Sequence, residues 1–265
     1  MRTTLLIASA GLALGAGALA KPLNPAWTPN GAPWVLHLDL DAALASHIGK
    51  LGFEGPEPIL HEIAEDIEDE IGFDLFREVH SVTIYGMTAA HKEPVIIIST
   101  TPEAETRLTG MAMLHGGAPV QENGRTVYEV EPDSDDRHFG TFMAGPGVNE
   151  RLVIISPRKE LLHSAVDVIE GKGQLRADLD QSPLRQPPRE GSIIYVAASA
   201  FGEGLDLDPV MVMLQRAEGL RVDVGEVGGE MYVDVDMRTP DEQQATQLHQ
   251  MALGGVAMLQ FVAAN

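Results

Sequence analysis

The stretch Trp34-Val35-Leu36-His37-Leu38-Asp39-Leu40-Asp41 sets Trp34, Leu36, Leu38 and Leu40 on one side and His37, Asp39 and Asp41 on the other. Side chains alternate across a strand, so this pattern predicts a β-strand with an apolar face toward a core and a polar face toward solvent. Asp41 ends the run and can accept from the free amides of a following helix, which predicts a short helix starting there.

Working outward, Ile59, Ile63, Ile67 and Ile71 recur every fourth residue, with Glu62, Glu65, Asp66, Glu68, Asp69 and Glu70 between them. That is the stripe of an amphipathic helix, which Gly72 is placed to stop. Strands are expected at 81–85 and 94–99. The β-branched run Val95-Ile96-Ile97-Ile98 reads as a central strand covered on both faces. Further strands are expected at 125–130, 139–144 and 152–155, then a helix from Pro157 to about Glu170. After the proline-bearing stretch 171–191 come a strand at 193–198, a helix near 209–217, and strands at 220–224 and 230–237 joined by a Gly228-Gly229 turn. A final helix is expected from Pro240 to about Val262.

Thr101-Pro102, Ser156-Pro157, Asp208-Pro209 and Thr239-Pro240 each set a capping side chain before a proline whose fixed φ suits the first helical position. Residues 34–113 and 192–262 share the order strand, helix, strand, strand, helix, which suggests two copies of a βαββα unit around an inserted meander. The fold expected is α+β, a largely antiparallel sheet with helices packed on one face. The division expected is a signal peptide at 1–20, an α+β unit at 21–172, a linker or long loop at 173–190, and a second unit at 191–265. The second unit can share one sheet with the first.

The chain opens with the single basic residue Arg2, an apolar run from Leu5 to about Leu14, and Ala18-Leu19-Ala20. This basic, apolar, A-x-A order is that of a secretory signal peptide cleaved before Lys21, and it implies a periplasmic or extracellular protein. The run is short and diluted by Gly11, Gly15 and Gly17, unlike a membrane span of roughly 20 apolar residues. The apolar end, 251–264, is also too short to span, so no transmembrane segment is expected in the processed chain. With 0 cysteines, a lipid anchor at the cleavage point, disulfides, thiolate catalysis and thiolate metal sites are excluded.

Lys plus Arg number 18 against 39 Asp plus Glu, a net charge of −21 that becomes −22 when Arg2 leaves with the leader. Such a chain repels phosphate backbones and anionic lipid, so nucleic acid is not an expected partner. An aromatic content of 5% argues against the stacking platforms of sugar-processing enzymes. Ser199 lacks the flanking glycines of a nucleophile elbow. The glycines of Gly140 to Gly147 lack the Gly-Lys-Ser/Thr ending of a phosphate loop. No residue is marked as catalytic or cofactor-binding.

Two metal constellations stand out. His37, Asp39 and Asp41 share a strand face at about 7 Å spacing, close enough to help hold a hard cation. Asp133, Asp135 and Asp136, with His138, gather in a turn-rich loop. The expectation is therefore an exported, acidic, non-catalytic binding or interaction protein of the cell envelope, with an unidentified protein or small ligand as its partner. The alternative is a divalent-metal-dependent hydrolase or metal-binding protein using that carboxylate-rich chemistry, with calcium or another divalent cation.

Overall fold

The structure, a computed structural model, describes residues 2–6, 21–29, 31–47, 49–50, 74–88, 93–114, 117–130, 137–147, 149–172, 186–199, 218–243, 245–246 and 250. Next to its central strand lies the strand read first, β2 (Trp34–Asp39). The other strands are β1 (Arg2–Leu6), β3 (Val79–Gly86), β4 (Pro94–Thr100), β5 (Pro119–Glu122), β6 (Arg125–Val130), β7 (His138–Ala144), β8 (Arg151–Ser156), β9 (Ser192–Ala198), β10 (Gly219–Val227) and β11 (Glu230–Arg238). They form one eleven-stranded sheet in the order β1-β11-β10-β9-β2-β3-β4-β8-β7-β6-β5. Every neighbouring pair is antiparallel. The described helices are α1 (Leu40–Ala45), α2 (Leu75–Glu78), α3 (Pro102–Leu114) and α4 (Lys159–Ile169), so the fold is α+β on an antiparallel sheet.

Local chemistry sets the boundaries. Gly228 and Gly229 both have positive φ, +63° and +83°, and close the β10–β11 hairpin with Val227 opposite Glu230. Glycine reaches that pair of conformations with the least strain, and Asn123-Gly124 makes the corresponding turn between β5 and β6. Thr101 caps α3, its Oγ1 accepting from the Ala104 amide at 3.4 Å. Ser156 accepts from the Arg158 amide at 3.3 Å just ahead of α4. The helix at the head of β2 starts earlier than its sequence suggests. The strand ends at Asp39, whose Oδ1 accepts from the Ala42 amide at 2.9 Å, and Asp41 lies inside α1. The helices expected near 58–71 and 209–217, and the loop at 131–136, lie outside the described residues.

The two faces of the sheet carry different cores. One cluster joins Val35, Tyr85, Ile97, Leu152, Ile154 and Tyr195 to Leu162, Ala165 and Val166 of α4. The other joins Leu38, Val82 and Ile98 to Leu40 of α1 and to Ala104 and Leu108 of α3. Ile97 and Ile98 are neighbours on one strand and point to opposite faces, so α4 lies on the face opposite α1 and α3. The sequence expectation of helices on a single face thus fits α1 and α3 but not α4.

The face of β2 expected to meet solvent is the more deeply buried one. Val35, His37 and Asp39 are buried at 0%, 1% and 0% exposure, while Leu36 and Leu38 are half-buried. The segment 21–29 lies over this face, with Leu23 and Trp27 in the same core cluster as α4.

Candidate functional site

The antiparallel registers set Asp39 beside Ser81 and Ser81 beside Ser99, and they set His37 beside Thr83. One row of polar side chains therefore crosses β2, β3 and β4 on the α4 face and a second crosses β2 and β3, all buried. Lys21 closes over them. Its carbonyl accepts from His37 Nε2 at 3.0 Å, which leaves His37 Nδ1 to accept from the Thr83 hydroxyl at 2.9 Å. The ring is therefore held neutral. Burial, partly opposed by the bond to Lys21, lowers its pKa to about 4.

The Lys21 ammonium reaches Glu150 Oε2 at 2.7 Å. Glu150 also accepts from Ser99 Oγ at 2.6 Å and from the Gly147 amide at 3.1 Å. Burial raises the Glu150 pKa, but Lys21 and Ser99 outweigh it and the net direction is down. Asp39 is less well served, because its Oδ2 makes no well-formed hydrogen bond among the described residues. Burial is the largest influence on it and raises its pKa to about 6, against the lowering effect of the Ala42 and Lys21 amides.

The residues of the first metal expectation meet other partners. Both ring nitrogens of His37 are hydrogen-bonded. Asp41 is turned away in α1, where His80 Nδ1 meets its carboxylate at 3.0 Å. Asp39 stays behind on the sheet, so the three groups do not converge. Among the described residues no group of three or more His, Asp or Glu side chains is placed to hold a metal ion. Asp133, Asp135 and Asp136 lie outside the described residues. Lys21, Thr83, Ser99 and Glu150 carried no sequence motif. The one signal was positional, since Lys21 directly follows Ala18-Leu19-Ala20 and Glu150 follows the turn Gly145-Pro146-Gly147.

The opposite face holds a different feature. Between α3 and strands β4, β6, β7 and β8 lies a half-open apolar cavity of about 370 Å³. Leu108, Met111 and Ala112 of α3 form one wall, at the spacing that shares a helix face. Ile98, Val153 and Ile155 form its floor, and Tyr128 and Phe142, packed edge to face with centroids 5.6 Å apart, form one side. His138 supplies a polar group to the lining. Gly140 lies on the floor, and a Cβ built there would meet only the Ile154 carbonyl, at 3.8 Å. The missing side chain is thus one reason that the space exists. Met113 and Leu114, 53% and 86% exposed, end α3.

Comparison with known proteins gives no family model, no curated protein and no solved structure that matches this chain.

Proposed function

We propose that the protein is an exported, non-catalytic binding protein that holds a small apolar ligand, of the class of a single acyl chain or fused ring system, in the cavity under α3. The cavity carries this reading. Its volume of about 370 Å³ falls in the range of small-molecule sites, roughly 300–1,000 Å³, and its lining is aliphatic and aromatic with few polar groups. Shielding an apolar compound from water suits a protein of an aqueous envelope compartment or of the exterior. The leader at 1–20, removed before Lys21, belongs to the same proposal.

The duplication is also part of it. From the β2–β9 seam outward the sheet reads β2-β3-β4 on one side and β9-β10-β11 on the other, the order that two βαββα copies would give. On this reading the ligand site lies where the first copy meets the meander inserted at 125–170: Ile98 and the α3 wall come from the copy, and Tyr128, Gly140, Phe142, Val153 and Ile155 from the insert.

The test is fluorescence titration of the purified protein with N-phenylnaphthylamine, followed by displacement with laurate. Wild type should bind the dye and release it to laurate. Gly140→Leu, which fills the floor, should weaken dye binding at least ten-fold while leaving the melting temperature in place. Equal binding by both proteins, or no binding by wild type, would remove the cavity as the ligand site.

A further inference from the structure

The buried polar rows carry a charge imbalance that leader removal would correct. Two carboxylates, Asp39 and Glu150, are buried at 0% and 2% exposure. The Lys21 side chain is committed to Glu150. His37 is neutral and its two nitrogens are occupied. Two charges act on Asp39 from nearby: Asp41, an acid that repels it, and the Lys21 ammonium, which favours its charge but is bonded to Glu150. Asp39 therefore sits in the interior with one oxygen bonded to the Ala42 amide and the other in no well-formed hydrogen bond among the described residues. A buried carboxylate so weakly compensated is disfavoured.

The backbone of Lys21 is fixed over this position by the bond from His37 to its carbonyl, and the Lys21 amide acts on the Asp39 carboxyl. In the unprocessed chain that nitrogen is a neutral amide with one proton. Hydrolysis of the Ala20–Lys21 peptide bond consumes one water, leaves a carboxylate on Ala20 and turns the Lys21 nitrogen into a primary ammonium with three donors. We infer that Asp39 is a receptor for a primary ammonium and that its occupant is the new amino end of this chain at Lys21. The two positive charges of Lys21 then meet the two buried carboxylates, the α-ammonium at Asp39 and the side chain at Glu150. Processing would thereby stabilise the folded protein while β1, which lies within the leader, leaves the edge of the sheet.

The inference rests on the leader reading, and the experiment separates the two. The full chain is exported, purified and weighed intact; a first residue of Lys21 is required, and any other first residue overturns the leader reading and the inference with it. The processed protein is then acetylated briefly at pH 7 and its amines are followed by peptide mass spectrometry. The Lys21 α-amine should react at least ten-fold more slowly than in the urea-unfolded protein, and Asp39→Asn should restore fast reaction. Fast reaction in the folded wild type would overturn the docking alone.

A second arm uses melting. Asparagine caps a helix as well as aspartate, so Asp39→Asn removes charge and spares the α1 cap. It should lower the melting temperature by roughly 10 °C in the processed protein. The drop should be less than about a third of that in a chain whose cleavage is blocked by Ala18→Leu and Ala20→Leu. An equal drop in both would give Asp39 only a local structural role and overturn the inference.

Discussion

The two faces of the sheet were built to opposite specifications. On the α4 face the apolar core is tightly packed, with Val35, Leu152, Ile154, Leu162 and Ala165 all at 0% exposure, and the cavity at its edge, about 330 Å³, is lined mainly by polar residues such as Arg125, Thr141 and Glu170. Its polar groups are buried beside that core and matched almost one to one. On the α3 face the strand residues are mostly half-buried, the lining is apolar, and a cavity remains open beneath the helix. The difference teaches where function can sit. A tightly packed face with a matched polar network holds the fold in one arrangement, whereas a face with unfilled apolar space is free to take a guest.

The largest test of that contrast uses neighbours on β8. Ile154 points to the closed face and is 0% exposed, while Ile155 points into the cavity. Ile154→Ala should cost about 4 kcal/mol in urea unfolding, since it loses transfer energy and leaves a new void in a rigid core. Ile155→Ala should cost about 1.5 kcal/mol, because the space beside it is already open. Equal losses would break the comparison.

Acid titration reads the polar rows next. The His37 pKa is lowered to about 4, so below pH 6.5 the unfolded chain binds a proton that the folded one refuses, and stability is lost as pH falls. In the unprocessed chain, where no α-ammonium faces it, the Asp39 pKa is raised to about 6, so the folded chain binds the extra proton there and stability is lost as pH rises through that value. The two slopes oppose each other between about pH 4 and 6. In Asp39→Asn the opposing Asp39 slope is gone and the His37 slope dominates, so stability should fall by about 3 kcal/mol between pH 6.5 and 4. Urea midpoints across that range, compared with those of the wild type, check it; a flat profile in the variant would contradict the neutral, buried His37.

Glu150→Gln follows in size. It removes the charge that the partly exposed Lys21 ammonium and the Ser99 hydroxyl both meet, and should cost about 2 kcal/mol by the same urea assay. On the outer surface Arg158 pairs with Glu93 at 3.2 Å, with both side chains largely in solvent. Arg158→Ala should leave the urea midpoint unchanged, because solvent screens the pair.

The strands were legible because period-two alternation and β-branched runs are local properties. The segments expected at 81–85, 94–99, 125–130 and 230–237 fall within a few residues of β3, β4, β6 and β11. The short edge strand Pro119–Glu122 left no such trace, because its side chains are nearly all exposed and nothing selects an apolar alternation. Alternation in β2 separated two faces correctly but could not say which one is buried. That depends on residues 21–29 and α4, brought over the sheet from elsewhere in the chain, and on the Lys21 carbonyl that makes a buried histidine acceptable. The cavity was hidden for a related reason. It arises from a side chain that Gly140 lacks and from the seat of α3 over strands further along the chain. No local pattern encodes that combination.

The central claim is that ligand binding belongs to the open face alone. Methyl-resolved NMR of the purified protein during laurate addition tests it most directly. The account predicts saturable shifts at Ile98, Leu108, Met111 and Val153, with Leu152, Ile154, Leu162 and Val166 unmoved. Shifts centred on the closed face, or none at the cavity methyls, would contradict it.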